Sequence, residues 1–116
     1  MTSSHFIFET TPGSLGTSEA PDLLHWVSNS LEKGANFLLV DLSRTTHIDS
    51  SGLGTLMIAC NRVRRAGGTF ALCSLNSKTH MQIDRAGLTD KFDIYTDQRE
   101  FESFVAGDED LNRYML

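Results

Sequence analysis

The stretch FLLVDLSRTTHIDSSGLGTLMIAC, residues 37–60, contains the two patterns that decide the fold. Its first part, Phe37 to Val40, is an uninterrupted apolar run that closes on Asp41-Leu42. Such a run is typical of a strand covered on both faces in a parallel sheet. The later part opens a helix predicted from Ser50 or Ser51 to Ala66, because its apolar residues recur at spacings of three and four. These residues are Leu53, Leu56, Met57, Cys60 and Val63.

The same alternation of strand-like and helix-like patterns continues on both sides of this stretch. Further strands are predicted at residues 6–8, 69–75 and 93–95, and helical patterns that stop at glycine separate them. The resulting order, β-α-β-α-β-α-β-α, predicts one α/β domain with a mostly parallel central sheet and alternating crossover helices. The strand region at the amino end is predicted to be short or incomplete.

Two of the predicted helices carry specific expectations. In the first helix, Thr17 or Ser18 is expected to cap the amino end. Its buried stripe is predicted at Leu24, Val27 and Leu31. In the last helix, Asp97 followed by Glu100 resembles a capping box. The inner face of that helix is predicted to consist of Phe101, Phe104 and Val105.

Length and charge restrict the function classes. A chain of 116 residues is long enough for one core, predicted over residues 1–106 and followed by an acidic tail at 107–116. With 10 basic against 15 acidic residues, the net charge of -5 argues against a nucleic-acid binder and against a polybasic membrane anchor. Since no signal peptide or membrane-spanning run is visible, a cytoplasmic protein is expected.

Neither metal nor cofactor chemistry is predicted. Cys60 and Cys73 lie 13 residues apart among apolar neighbours, which favours two reduced core thiols over a disulfide. The four histidines show no metal-ligand spacing. We therefore expect no metal site and no cofactor.

The candidate functional segment is residues 45–54, which is dense in polar residues and glycine. It lacks the Gly-x-Ser-x-Gly of a nucleophile elbow, the lysine of a phosphate-binding loop and the third glycine of a dinucleotide-binding loop. A hydrolase pairing His47 with Ser50 or Ser51 has no third partner. Two interpretations remain: a helix amino terminus capped by Asp49 or Ser50, in which the glycines allow close packing, and a serine at an exposed helix start that a kinase can phosphorylate.

The segment DSSGLG at residues 49–54, preceded by the strand at 38–42, resembles the STAS domains of bacterial anti-sigma factor antagonists. The likeness extends over about residues 13–104 and includes IDRAGL at 83–88. It implies a STAS-like fold and a binding module that is not itself an enzyme. Mapped residue by residue, it implies Ser50 as the phospho-acceptor, with Ser51 as the alternative. The implied partner-binding residues are Asp49, Ser50, Ser51, Gly52, Leu53 and Gly54.

The resemblance also implies the partners. The unphosphorylated protein would bind an anti-sigma factor that is also a serine kinase, phosphorylation would release that kinase, and a metal-dependent serine phosphatase would reset the cycle. The alternative is a STAS-type module with another partner, such as a transporter, a signalling complex or a nucleotide.

One departure from the family pattern lies near the amino end. The family carries Gly-Glu-Leu/Ile-Asp where this chain has Gly13-Ser14-Leu15-Gly16, so both acidic residues are missing, at Ser14 and Gly16. If the first strand were also missing, an open sheet edge would favour a homodimer or strand exchange.

Overall fold

The computed structural model describes the backbone of residues 5–115 and the side chains of residues 5–106. Six strands and four α-helices follow one another along the chain, with a short 3-10 helix at Thr89–Lys91. The strands are β1 (His5–Glu9), β2 (Gly13–Leu15), β3 (Phe37–Asp41), β4 (Thr45–Ile48), β5 (Thr69–Cys73) and β6 (Asp93–Tyr95). The helices are α1 (Ala20–Glu32), α2 (Ser50–Arg65), α3 (Ser77–Arg85) and α4 (Gln98–Met115).

The main sheet is parallel throughout and has the strand order β1-β3-β5-β6. At its centre, β3 pairs with β1 and β5 over all five of its residues. Leu38, Leu39 and Val40 are fully buried, which explains the unbroken apolar run in the sequence. The predicted fold class is confirmed. The predicted short amino-terminal strand is β1, which is as long as β3.

Helices cover both faces of this sheet. One core cluster joins alternate strand residues such as Leu38, Val40 and Leu72 to α1, α2 and α3. The other joins Leu39, Ala71 and Cys73 to Phe101 and Val105 of α4. The alternation follows from the two-residue period of a strand. Three helices therefore lie on one face and α4 on the other.

A second, two-stranded parallel sheet, β2 with β4, was not predicted from the sequence. Residues 45–48, the first part of the candidate functional segment, form β4. Both strands are short, and Thr45 is buried although it is polar, because its hydroxyl is 2.7 Å from that of Thr10. Hydrogen bonding between side chains thus replaces the apolar alternation by which a strand is usually recognised.

The helix ends and faces are partly as predicted. The capping of α1 by Thr17 or Ser18 is wrong, because Glu19 is the N-cap residue and its side chain makes no cap hydrogen bond. Leu23 is fully buried, whereas the predicted Leu24 is only partly buried.

Two large side chains that were predicted to be buried are exposed. Met57 on α2 is 37% exposed, and Thr55 and Ala59 supply the buried contacts there. Phe104 on α4 is 45% exposed, although Phe101 and Val105 are buried as predicted. The buried stripe of α2 is therefore shifted from Met57 toward Thr55 and Ala59, and the buried face of α4 does not include Phe104.

Other expectations concern the cysteines and the chain's end. Cys60 and Cys73 are free and buried, as predicted. The Asp97 carboxylate accepts the Glu100 N–H at 2.9 Å, so Asp97 opens α4. That helix continues through 107–115, the segment expected to be an acidic tail, whose side chains lie outside the described residues. Within the described part of the chain, no helix has the length and apolar character needed to cross a membrane.

Candidate functional site

The candidate site is the junction of β4 and α2, where Asp49 ends the extended chain and starts the helix. Asp49 has extended backbone angles (φ -87°, ψ 178°), and its Oδ1 accepts the Gly52 N–H at 2.8 Å. Its own N–H donates to the Leu15 carbonyl at 3.1 Å. Asp49 is therefore the helix cap that the sequence predicts, and it also ties the helix to β2.

Ser50 and Ser51 are the first two residues of α2, and both are exposed. Backbone N–H groups in the first turn of a helix have no partner within that helix, and the positive end of the helix dipole lies there. The Asp49 side chain satisfies the N–H of Gly52. Ser50 and Ser51 thus lie exposed at the positive end of the helix.

Gly52 is buried because the first turn of α2 packs directly on the backbone of β2. A Cβ at this position would overlap the carbonyl oxygen of Leu15 and lie 3.0 Å from Cγ2 of Ile48. Gly54, in contrast, has open space where a Cβ would lie. The sequence interpretation that both glycines allow close packing is therefore correct for Gly52 and wrong for Gly54.

Gly16 is the second close contact of the site and lies against Asp49. A Cβ at Gly16 would overlap Oδ2 of Asp49 and lie 2.9 Å from its Cγ. The residue at which the family pattern has an acid is thus buried under the Asp49 carboxylate in this chain.

Gln82 of α3 holds the end of β4, a contact that was not predicted from the sequence. Its Oε1 accepts the Ile48 N–H at 2.8 Å, and its Nε2 donates to the Ile48 carbonyl at 2.8 Å. The same Nε2 lies 2.9 Å from Nδ1 of His47. Since Gln82 is 34 residues from Ile48, no local sequence pattern signals this contact.

The geometry does not support a hydrolase. Nδ1 of His47 is hydrogen-bonded to Gln82, and within the described residues the His47 ring makes no hydrogen bond to Ser50 or Ser51. A serine nucleophile needs a base within hydrogen-bond reach that a third group orients. Here the His47 imidazole instead takes part in the hydrogen bonds between Gln82 of α3 and the end of β4.

The exposed face of α2 continues from Ser50 toward the middle of the helix. Gly54, Met57 and Ile58 follow Ser50 at spacings of four, seven and eight, so they share one side of the helix. Met57 is 37% and Ile58 is 47% exposed. We call this surface, made of Ser50, Gly54, Met57 and Ile58, the α2 face. Of the predicted binding residues, Gly52 is buried and Leu53 is partly buried against the core.

The fold and this site define a class: a parallel α/β domain with a capped, serine-bearing helix start next to an exposed apolar helix face. The STAS domain family model matches residues 3–101, and the chain belongs to the STAS domain family. The resemblance inferred from DSSGLG at 49–54 is therefore confirmed at the level of the family.

Individual relatives add detail. The chain is 30% identical over 61 residues to an anti-sigma F factor antagonist of Paenibacillus polymyxa, an alignment covering 53% of this chain. The alignment spans about half of that relative, 52% of its length.

Solved structures agree with this family membership. A candidate anti-sigma factor antagonist of Thermotoga maritima superimposes with a TM-score of 0.77 at 28% identity, covering 88% of this chain and 87% of that one. Unphosphorylated SpoIIAA, an anti-sigma factor antagonist, gives 0.75 at 17% identity with 91% of each chain covered. A sulfate transporter family protein of Wolinella succinogenes gives 0.80 at 14% identity, covering 88% of this chain and 84% of that one. The last two show the shared fold alone.

Proposed function

We propose that this protein is an anti-sigma factor antagonist whose partner binding is switched by phosphorylation of Ser50. In this proposal, the unphosphorylated segment 49–54 and the α2 face bind an anti-sigma factor that is also a serine kinase, which frees the sigma factor. Phosphorylation releases the kinase, and a metal-dependent serine phosphatase restores the binding form. The observation that carries the proposal is the exposed Ser50 at the start of α2, directly after the capping Asp49.

The rigidity of the segment supports a binding role. Asp49 is fixed by hydrogen bonds to Leu15 and Gly52, and Gln82 holds the preceding residue Ile48 from the other side. A partner that docks here does not have to order a loop, and the ordering of interface groups is one of the main costs of association. The exposed Met57 and Ile58 add apolar area about two turns further along the same side of the helix.

The charge at the site supports a switch that changes binding and leaves the fold intact. A phosphate on Ser50 adds about -1.5 to -2 charge at neutral pH. The amino end of α2 stabilises negative charge, so the folded domain tolerates the modification. A partner seated on Met57 and Ile58 would have to bury that charge close to the Asp49 carboxylate, which disfavours the complex.

In this mechanism the protein is a kinase substrate and a ligand, and it does not catalyse a reaction. The hydroxyl of Ser50 accepts the phosphoryl group from the nucleotide bound to the kinase. The role of Asp49 is positional, because its carboxylate caps the helix that presents the serine.

Mapping of the phosphorylation site tests the proposal directly. The purified chain is incubated with ATP and lysate of the source cell, and the modified residue is identified by mass spectrometry. We expect phosphate on Ser50, its loss in Ser50→Ala, and its retention in Ser51→Ala. Ser77→Ala is the matched control, because Ser77 is also an exposed first residue of a helix, after the capping Asn76. Phosphate on Ser51 alone would contradict the assignment to Ser50, and an unmodified chain would contradict the switch.

A second candidate function is a STAS module for a different partner, such as a transporter, a signalling complex or a nucleotide bound at the start of α2. The replacement of both family acids by Ser14 and Gly16 favours it, because the surface beside Asp49 is changed. Titration with GTP and with ATP, followed by amide NMR, tests the nucleotide version. Shifts at residues 52–55 would support it, and unchanged signals there would eliminate it.

A further inference from the structure

Strand β1 forms one of the two edges of the main sheet, and several of the usual protections of an edge strand are missing from it. Among the described residues, β1 pairs with β3 on one side and with no strand on the other. Its sequence, HFIFE, contains no proline and no lysine, and its pairing with β3 runs without a bulge. Phe6, Ile7 and Phe8 are each only partly buried. Exposed edges of this kind pair readily with another strand.

We propose that β1 pairs antiparallel with β1 of a second copy of this chain, about a two-fold axis at Ile7. The two four-stranded sheets then form one continuous sheet of eight strands. The proposal uses no residue of segment 49–54, so it stands or falls separately from the proposed function.

The five residues of β1, His5–Glu9, are complementary to a second copy of themselves in the antiparallel direction. With the axis at Ile7, His5 lies opposite Glu9 of the second copy and Phe6 lies opposite Phe8. Hydrogen-bonded polar pairs and aromatic pairs are stabilising cross-strand combinations in antiparallel sheets. An axis at Phe8 would instead place Ile7 opposite Glu9, and an axis at Phe6 would leave Phe8 and Glu9 unpaired. The axis at Ile7 is the register that matches all five residues.

Helix α1 and the residue that follows it lie beside this edge and contribute a second complementary pair. The Phe8 ring packs against Trp26 with ring centroids 5.4 Å apart, and the Lys33 Nζ lies 6.0 Å from the centroid of Phe6. In the dimer, Phe6 lies opposite Phe8 of the second copy. Lys33 lies over Phe6 and Trp26 packs on Phe8, so each Lys33 is placed opposite the Trp26 of the other copy. Trp26 and Lys33 line a groove of about 310 Å³ above Phe6. The second copy therefore brings a cation to an indole ring on each side of the axis.

The polar residues at the two ends of β1 already have contacts within the chain, and these contacts leave both residues exposed. Nε2 of His5 is 4.0 Å from Oε2 of Glu102, and Oε2 of Glu9 accepts from Nε2 of Gln98 at 2.9 Å. Both His5 and Glu9 remain exposed. They are therefore available to face each other across the axis.

Charge reversal at the edge, followed by sedimentation velocity over a range of concentrations, tests the pairing. We expect the native chain to dimerise and Glu9→Lys to raise the dissociation constant about tenfold or more, because the carboxylate that faces each His5 is replaced by an ammonium group that cannot accept a hydrogen bond. The double variant His5→Glu/Glu9→Lys places opposite charges across the axis and should recover the dimer. Asp90→Lys, with the same charge change on the exposed 3-10 helix, is the matched control and should leave the constant unchanged.

A disulfide tests the register independently. Ile7→Cys places two thiols opposite each other on the axis, at the Cα separation of about 4.5–5.5 Å that antiparallel pairs have and disulfides accept. We expect a covalent dimer under mild oxidation with Ile7→Cys and none with Ser14→Cys, a change at the exposed residue of β2. The proposal is overturned if the native chain stays monomeric, if Glu9→Lys and Asp90→Lys weaken the dimer equally, or if both cysteine variants cross-link alike.

Discussion

The carboxylate of Asp49 fills the space into which a side chain at Gly16 would project. A Cβ at Gly16 would overlap Oδ2 of Asp49 and lie 2.9 Å from its Cγ. The family pattern has an acid at position 16. In this chain the Asp49 carboxylate occupies the space in which a side chain at that position would begin. The Asp49 carboxylate, on the helix cap itself, directly precedes Ser50 in the chain.

This packing predicts a measurable coupling between the two positions. Gly16→Ala should lower the free energy of unfolding by about 1–3 kcal/mol, because the added methyl meets the Asp49 carboxylate. Asp49→Ala alone should cost about 1 kcal/mol through loss of the cap. Urea unfolding of the double variant should show a cost well below the sum of the two. Strictly additive costs would show that the two residues do not share this space.

The two glycines of α2 should respond in opposite directions to the same substitution. Gly52→Ala should destabilise the fold by about 2 kcal/mol, because its methyl meets the backbone of Leu15. Gly54→Ala should stabilise it by about 0.5–1 kcal/mol, because alanine favours a helix and the space there is open. Denaturant unfolding of the two variants side by side is the measurement. Equal effects of the two substitutions would be incompatible with the close approach of α2 to β2.

Gln82 should be a stability residue of the site although it lies on a different helix. Gln82→Ala leaves both backbone groups of Ile48 without their partner, at an expected cost of about 2 kcal/mol in the free energy of unfolding. Hydrogen exchange at the Ile48 amide should speed up more than at amides of the main sheet. Lys78→Ala, an exposed change on the same helix, is the control and should leave both readouts unchanged. If hydrogen exchange at the Ile48 amide is unchanged in Gln82→Ala, Gln82 does not stabilise the end of β4.

Asp41 should make the stability depend on pH at the acid end. Burial by itself would raise the pKa of Asp41, but hydrogen bonds from the Ser43 backbone and from the side chains of Gln98, Ser43 and Ser74 outweigh it and lower the pKa. A carboxyl whose pKa is lower in the folded state stabilises the fold above its unfolded pKa of about 3.9, and loses this contribution as the pH falls through the folded value.

The comparison of Asp41 with Asp41→Asn isolates that contribution. The difference in the free energy of unfolding between the two proteins should have its largest value near neutral pH and should decrease below about pH 4. Urea titrations at several pH values measure it. A difference that stays constant down to the acid limit would mean that the pKa of Asp41 is not lowered by folding.

The main sheet could be predicted from the sequence, and the small sheet could not. Residues Phe37–Val40 are all apolar because β3 is covered on both faces. A strand buried in this way is recognisable in the sequence as an uninterrupted apolar run. In β2 and β4 the strands are three and four residues long, and a hydroxyl pair buries Thr45. Strands of this length and polarity carry no periodic signal.

The candidate site was predictable where its contacts are local. The cap formed by Asp49 on Gly52 spans three residues and is visible as a motif. The contacts of Gly52 with Leu15, of Gly16 with Asp49 and of Gln82 with Ile48 join residues more than 30 positions apart. Such contacts depend on the topology of the whole domain, so the sequence shows the glycines and the glutamine without showing what they touch.

The most direct test of the proposed switch compares three baits in a pull-down from lysate of the source cell: the native chain, Ser50→Asp and Ser77→Asp. Mass spectrometry quantifies the captured proteins, and thermal unfolding verifies that all three baits are folded. We predict that the native chain and Ser77→Asp capture the same anti-sigma factor with a kinase domain, and that Ser50→Asp captures at least about tenfold less of it, since an unpaired charge in an interface disfavours binding. Equal capture of that kinase by all three folded baits would contradict a switch at Ser50, and so would its absence from all of them.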